Sequence, residues 1–153
     1  MKSLVIFFLL LSTMLFNGCE QSVSITNEIF NSELNIDYVH KALLQKKWGM
    51  YLALFGELAD YDMNENGDIT AITSYSALPL SITGTWTLNY VTQEYVCTFE
   101  HNNPTWATKF VFTPLAINAS TRSGFRYNLD VKYSIFYTQY DEPESGTTSL
   151  HLR

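Results

Sequence analysis

From Phe125 to Tyr137 the chain alternates. Phe125, Tyr127, Leu129, Val131, Tyr133, Ile135 and Tyr137 hold every odd position, with Arg126, Asn128, Asp130, Lys132 and Ser134 between them; Phe136 alone breaks the pattern. A period of two with one apolar face predicts an antiparallel strand, covered on one side and wet on the other. Thirteen residues of strand reach about 43 Å, longer than a domain of this size is wide. The strand therefore either bends hard around a barrel or breaks at a turn near Asp130.

Other segments read as strands with less regular patterns. Trp48–Phe55 is apolar on both sides and ends at Gly56, as a buried strand does. Asp68–Tyr75, Thr83–Val91, Glu94–His101 and Trp106–Thr113 follow, punctuated by Pro79, Asn102-Asn103-Pro104 and Pro114. Asp141–Gly146 reads as an acidic loop and Thr147–Leu152 as a closing strand. Ahead of them all, Asp37 is placed to cap a short helix over Tyr38–Gln45, in which Tyr38, Val39, Ala42 and Leu43 share a face. The sum is an all-β domain: a small antiparallel barrel of about eight strands with a short N-terminal helix, or alternatively a β-sandwich. A transmembrane β-barrel shares the alternation, but the remaining segments alternate less cleanly than such strands do.

The N-terminus follows a different pattern. Lys2 precedes an unbroken apolar run, Leu4–Leu11, and Ser12–Asn17 lead into Gly18-Cys19. This is the order of a secretory signal, and its apolar core is too short to span a membrane as a helix. A cysteine directly after the small residue resembles the lipobox of bacterial lipoproteins, although Phe16 and Asn17 stand where that pattern has aliphatic and small residues. The resemblance implies cleavage before Cys19, a diacylglycerol thioether on it, and an acylated N-terminus. Glu20 and Gln21 follow rather than the aspartate that tends to hold enteric lipoproteins at the inner membrane, which favours the outer membrane. The chain then divides into a signal peptide (1–18), a lipid-anchored polar tether (19–36) and one all-β domain (37–153).

Removing Met1–Gly18 takes away one charged residue, Lys2, leaving eight basic against fifteen acidic residues and a formal charge of −7. An acidic chain without a Lys/Arg stripe repels phosphate backbones, so nucleic acid is not a partner. The membrane is met through the anchor rather than by charge. Ten Tyr, ten Phe and three Trp suit strands. With Cys19 carrying lipid, Cys97 has no disulfide partner; within Tyr95-Val96-Cys97-Thr98-Phe99 it reads as a small buried hydrophobe.

The stretch Asn66-Gly67-Asp68-Ile69-Thr70, followed by Ile82-Thr83-Gly84-Thr85-Trp86-Thr87-Leu88, runs from a glycine turn into one strand and opens a second with Gly-Thr-Trp. With Trp48 beginning an earlier strand after a short helix, this looks like the lipocalin-like (calycin-type) domains of small bacterial lipoproteins. The resemblance covers Lys47 to Phe99 and implies an eight-stranded barrel whose interior takes a small apolar molecule. It fixes no ligand residue here. The same aromatic residues can equally fill the core of so small a barrel.

Candidate chemistry is sparse. Asp62-Met63-Asn64-Glu65-Asn66-Gly67-Asp68-Ile69-Thr70 follows the opening of an EF-hand loop, with Asp62, Asn64, Asn66 and Asp68 as oxygen donors and glycine sixth. The twelfth place is Thr73 instead of a bidentate glutamate, so any Ca²⁺ site there is weak and would draw on Asp60 or Glu57; otherwise Asn66-Gly67 is a tight hairpin turn. No other cofactor is implied. Serine-hydrolase, zincin and phosphate-loop motifs are absent, His40, His101 and His151 read as surface residues, and Asp141, Glu142 and Glu144 read as a solvated face, so no enzyme is expected. Two functions stay open: a barrel holding a small hydrophobic ligand, or an envelope interaction module with a filled core that meets a protein through strand edges or through Tyr51, Trp106 and Tyr140.

Overall fold

The computed structural model describes residues 34–73, 79–121 and 123–153; the signal segment, Cys19 and the tether up to residue 33 lie outside them, as do Ser74 and Tyr75. Eight strands occur in chain order: β1 (Trp48–Gly49), β2 (Ala59–Met63), β3 (Asp68–Thr73), β4 (Ser81–Asn89), β5 (Glu94–Phe99), β6 (Ala107–Ala119), β7 (Tyr127–Tyr137) and β8 (Glu144–Leu152). Each pairs antiparallel with the next, and β8 returns to β1 to close a barrel. The sandwich alternative is thereby set aside. No described helix is long and apolar enough to cross a membrane.

The alternation from Phe125 to Tyr137 becomes β7, whose odd residues Leu129, Val131, Tyr133 and Ile135 are buried while Lys132 is exposed. No turn breaks it at Asp130. The curvature is absorbed in its partner β6, whose register against β7 slips between Ala107 and Lys109 and again between Pro114 and Ala116. Such irregularities bend one strand and sharpen the local twist. Pro114 therefore sits inside a strand rather than ending one: it lies beyond the reach of β5, whose last partner on β6 is Phe112.

Trp48–Phe55 does not form the expected strand. Only Trp48 and Gly49 pair, with Tyr61 and Asp60 on one side and Leu152 and His151 on the other. The chain then turns across the end of the barrel, where the Leu54 carbonyl accepts a hydrogen bond from the Ala107 N–H at 2.8 Å. Leu54 and Phe55 are buried there, Phe55 with its ring 5.0 Å from that of Phe99 and 5.9 Å from that of Trp106. A stretch apolar on both sides looks alike whether it is a central strand or a plug. Residues 59–63, to which the sequence pattern assigns no strand and whose Asp62 reads as opening a calcium-type loop, form β2, with Ala59, Tyr61 and Met63 buried.

Helix α1 (Ile36–Gln45) seats Val39 and Leu43 in the same core. Its cap is Asn35, whose side-chain oxygen accepts from the N–H groups of Asp37 and Tyr38 at 3.0 and 3.2 Å. Asp37 sits within the first turn as an acidic residue near the helix N-terminus, and Asn35 and Ile36 belong to the helix unit rather than to a tether. Two ion pairs clasp the closure, Arg153 to Asp60 at 3.0 Å and Lys47 to Asp62 at 3.8 Å; being exposed, they add little stability.

Gly84, the glycine of the Gly-Thr-Trp motif, is set by close approach: a Cβ there would overlap the Thr98 carbonyl and stand 3.0 Å from the Phe99 Cα. Gly84→Ala is expected to lower unfolding stability by about 1–3 kcal/mol in urea titrations, the range for forcing extra atoms into a tight wall. At the helix, Asn35→Ala is expected to cost about 1 kcal/mol and Asp37→Ala only a few tenths, because the first removes a cap and the second a weak dipole contact.

Candidate functional site

The barrel interior is where the lipocalin-like resemblance would place a ligand, and it is occupied by rings. Tyr61 stacks on Trp48 with centroids 4.4 Å apart and planes 16° apart. Trp48 meets Phe112 edge-on at 6.0 Å, and Phe112 stacks on Tyr95 at 4.8 Å and 6°. The four rings form a chain from the β1–β2 wall across to the β5–β6 wall. All four, with Phe110, Leu129, Val131 and Leu150, have 0% exposure. A side chain lining a void large enough for water would show accessible surface into it, so these residues border no such space.

Burial without partners leaves chemical marks. The Trp48 indole N–H and the Tyr61 hydroxyl have no hydrogen-bond partner among the described residues. Desolvation, followed by the neighbouring Cys97 and Tyr137, pushes the Tyr61 hydroxyl well above its ordinary value of 10.0. Desolvation, followed by Tyr90, Asp37 and Cys97, raises Tyr95 as well. Cys97 is buried on the same side of β5 as Tyr95 and Phe99, and burial pushes its thiol far upward. It fills space and stays protonated.

The segment from Asp62 to Thr70 is a hairpin. Asn64 organises it: its Oδ1 accepts from the N–H groups of Asn66 and Asp68, both at 3.0 Å, and its Nδ2 donates to Asp68 Oδ2 at 3.3 Å. The Asn64 N–H donates to the Asp68 carbonyl and the Gly67 N–H to the Asn64 carbonyl, with Gly67 at a φ of +88°. Asp62, the first oxygen donor of the calcium-type spacing, lies on β2 and reaches toward Lys47, away from this loop. Asn66 and Asp68 are exposed, and no three His, Cys, Asp or Glu side chains among the described residues gather as a metal site. Trp86 ties the hairpin down by donating its indole N–H to the Asn64 carbonyl at 2.9 Å.

None of the three histidines is a free surface residue. His40 lies on α1 among Trp86 (5.3 Å), Tyr90 (6.3 Å) and Tyr95 (6.1 Å). His101 packs between Phe55 and Trp106 with Nε2 2.7 Å from the Ala107 carbonyl. His151 is buried in β8, its Nδ1 2.8 Å from Asn128 Oδ1. The partners of His40 and His151 come from distant strands and those of His101 from the end plug and the start of β6, so no local pattern marks them. Trp106 likewise belongs to the end plug, whereas Tyr51 and Tyr140 are exposed at 56% and 61%. An open groove of about 360 Å³ lies along α1, lined by His40, Lys41, Leu44 and Gln45 with Glu65 from the hairpin and Trp86 from β4. The sequence held no sign of it, because helix, hairpin and β4 meet only in the fold.

Comparison with family models, with curated proteins and with solved structures found no match to this chain.

Two measurements check the interior. Tyr61→Phe is expected to leave stability unchanged or raise it by about 1 kcal/mol, since the lost hydroxyl is a desolvated group without a partner among the described residues. The pH dependence has a fixed sign. Tyr61 and Tyr95 have folded pKa values raised above 10.0, so the folded state holds their protons longer than the unfolded state. Their contribution is fully present below pH 10 and falls as pH rises above it. Urea midpoints should be flat with respect to these groups up to about pH 10 and decline beyond.

Proposed function

We propose that this chain is a lipid-anchored protein of the bacterial envelope, outer membrane favoured, that works as an interaction module: a solid barrel presenting its outer surface to a partner. The observation that carries this reading is the four-ring stack across the lumen, with every ring at 0% exposure. A ligand of the lipocalin type needs the space that these rings occupy. Emptying it would remove several large apolar contacts at about 1.5–3 kcal/mol each. The anchor is read from Gly18-Cys19 behind the apolar run Leu4–Leu11.

A second reading, a binder of a small hydrophobic molecule, draws its support from outside the lumen. The groove along α1 offers Leu44 and Trp86 as an apolar floor, with Lys41, Gln45 and Glu65 at its rim. It would hold a molecule against the barrel rather than within it.

Titration of the chain from Gln21 onward with an environment-sensitive apolar fluorophore separates the two. The module reading expects no saturable binding by the folded protein. One probe per chain, displaced by Trp86→Ala or Leu44→Glu, would move the function to the groove. One probe per chain unaffected by those changes would restore an interior ligand.

A further inference from the structure

The closure of the barrel is uneven. β8 runs for nine residues, yet β1 meets it only at Leu152 and His151. The Arg153 N–H donates to the Lys47 carbonyl, which fixes the odd residues of β8 as those facing β1. By alternation, Ser149, Thr147 and Ser145 turn their N–H and C=O groups to the same side, while Gly146, Thr148 and Leu150 turn theirs to β7. Past Gly49 the chain leaves that side and crosses under the barrel to Ala107. No described strand lies beside Glu144–Leu150 in its place.

Strand edges of this kind are usually blunted by proline, lysine or a bulge. The molecule does so at another overhang: β6 from Thr113 to Ala119 extends past β5 and carries both Pro114 and a break in register. The β8 edge has neither. Glu144-Ser145-Gly146-Thr147-Thr148-Ser149-Leu150 contains no proline or lysine and pairs with β7 without a slip. On its inner face Tyr133 covers Gly146, lying close enough that a Cβ there would stand 3.2 Å from the Tyr133 hydroxyl. On its outer face Ser145 and Thr147 are exposed. At its start stand three exposed carboxylates, Asp141, Glu142 and Glu144.

We propose that the Glu144–Leu150 edge of β8 accepts an extended segment of a partner protein as an added antiparallel strand, with basic residues at the segment's C-terminal end against Asp141, Glu142 and Glu144. Main-chain hydrogen bonds to Ser145, Thr147 and Ser149 supply the attachment, and the acidic flank supplies orientation and selectivity. This rests on the module reading and names its surface.

The test uses the full chain in detergent micelles and two fluorescein-labelled peptides of alternating Val and Thr, one ending in two lysines and the other in two glutamates. Fluorescence anisotropy is expected to show saturable binding of the lysine peptide, about tenfold tighter than the glutamate peptide and weakened by salt. Thr147→Pro removes an edge-facing N–H and leaves the β7 ladder intact, so it should abolish binding without moving the melting temperature or the circular dichroism. The double variant Glu142→Lys, Glu144→Lys should invert the peptide preference, and it reads the same edge even if the proline disturbs folding. Failure of both peptides to bind, or equal binding by folded Thr147→Pro, overturns the proposal. A wild-type dimer in sedimentation that Thr147→Pro dissolves also overturns it, assigning the edge to a second copy of this chain. Failure of the module reading shows separately, as stoichiometric apolar-probe binding that Thr147→Pro does not change.

Discussion

The stack of Tyr61, Trp48, Phe112 and Tyr95 across the lumen is the contact on which the other features of this barrel depend. It joins the β1–β2 wall to the β5–β6 wall through ring faces and one ring edge, with centroids between 4.4 and 6.0 Å. Aromatic pairs in these arrangements add about 0.5–1.5 kcal/mol beyond their buried area. Trp48 is the hinge of the arrangement, because it belongs to a strand of only two residues. Two residues of ladder hold such a strand weakly; a fully buried indole stacked on Tyr61 and met edge-on by Phe112 holds it well. Barrel closure here is a packing event that the hydrogen bonds then complete.

That economy at β1 frees the chain for other work. After Gly49 it serves as a plug, placing Leu54 and Phe55 beneath Phe99 and Trp106, while α1 covers the core with Val39 and Leu43. The same departure leaves the β1-facing edge of β8 without a neighbouring strand among the described residues from Glu144 to Leu150. The sealed interior and the open edge are thus two consequences of one short strand. A longer β1 would have covered the edge and left the barrel end to be filled by something else.

Polar atoms show where the fold is strict and where it is tolerant. Around Asn64 the hairpin satisfies its own backbone, with one carboxamide serving two N–H groups and a carboxylate. In the core the Trp48 N–H and the Tyr61 hydroxyl have no partner among the described residues, so burial of the rings outweighs the cost of their polar tips. The carboxamide of Asn64 thus does, for the loop, what a bound cation does in an EF-hand: it gathers the turn around one centre. An alternation of oxygen-bearing residues closing on Asn-Gly is compatible with both.

The sequence alone carried the fold class. Strict alternation in Leu129–Ile135, the Asn66-Gly67 turn and the aromatic excess specify antiparallel strands with one wet face, because side-chain direction in a strand follows directly from position. It also placed Cys97 inside. What it could not carry was everything decided between distant residues. Trp48–Phe55 reads the same as strand or plug; Asn35 rather than Asp37 caps the helix because the helix begins where Val39 and Leu43 meet the barrel. His40 and His151 find their neighbours many residues away, on β4, β5 and β7. Whether the rings fill the lumen or line it, and where a strand edge is left open, depend on register and closure around the whole barrel. Those are properties of pairs, and a single chain of letters states only its members.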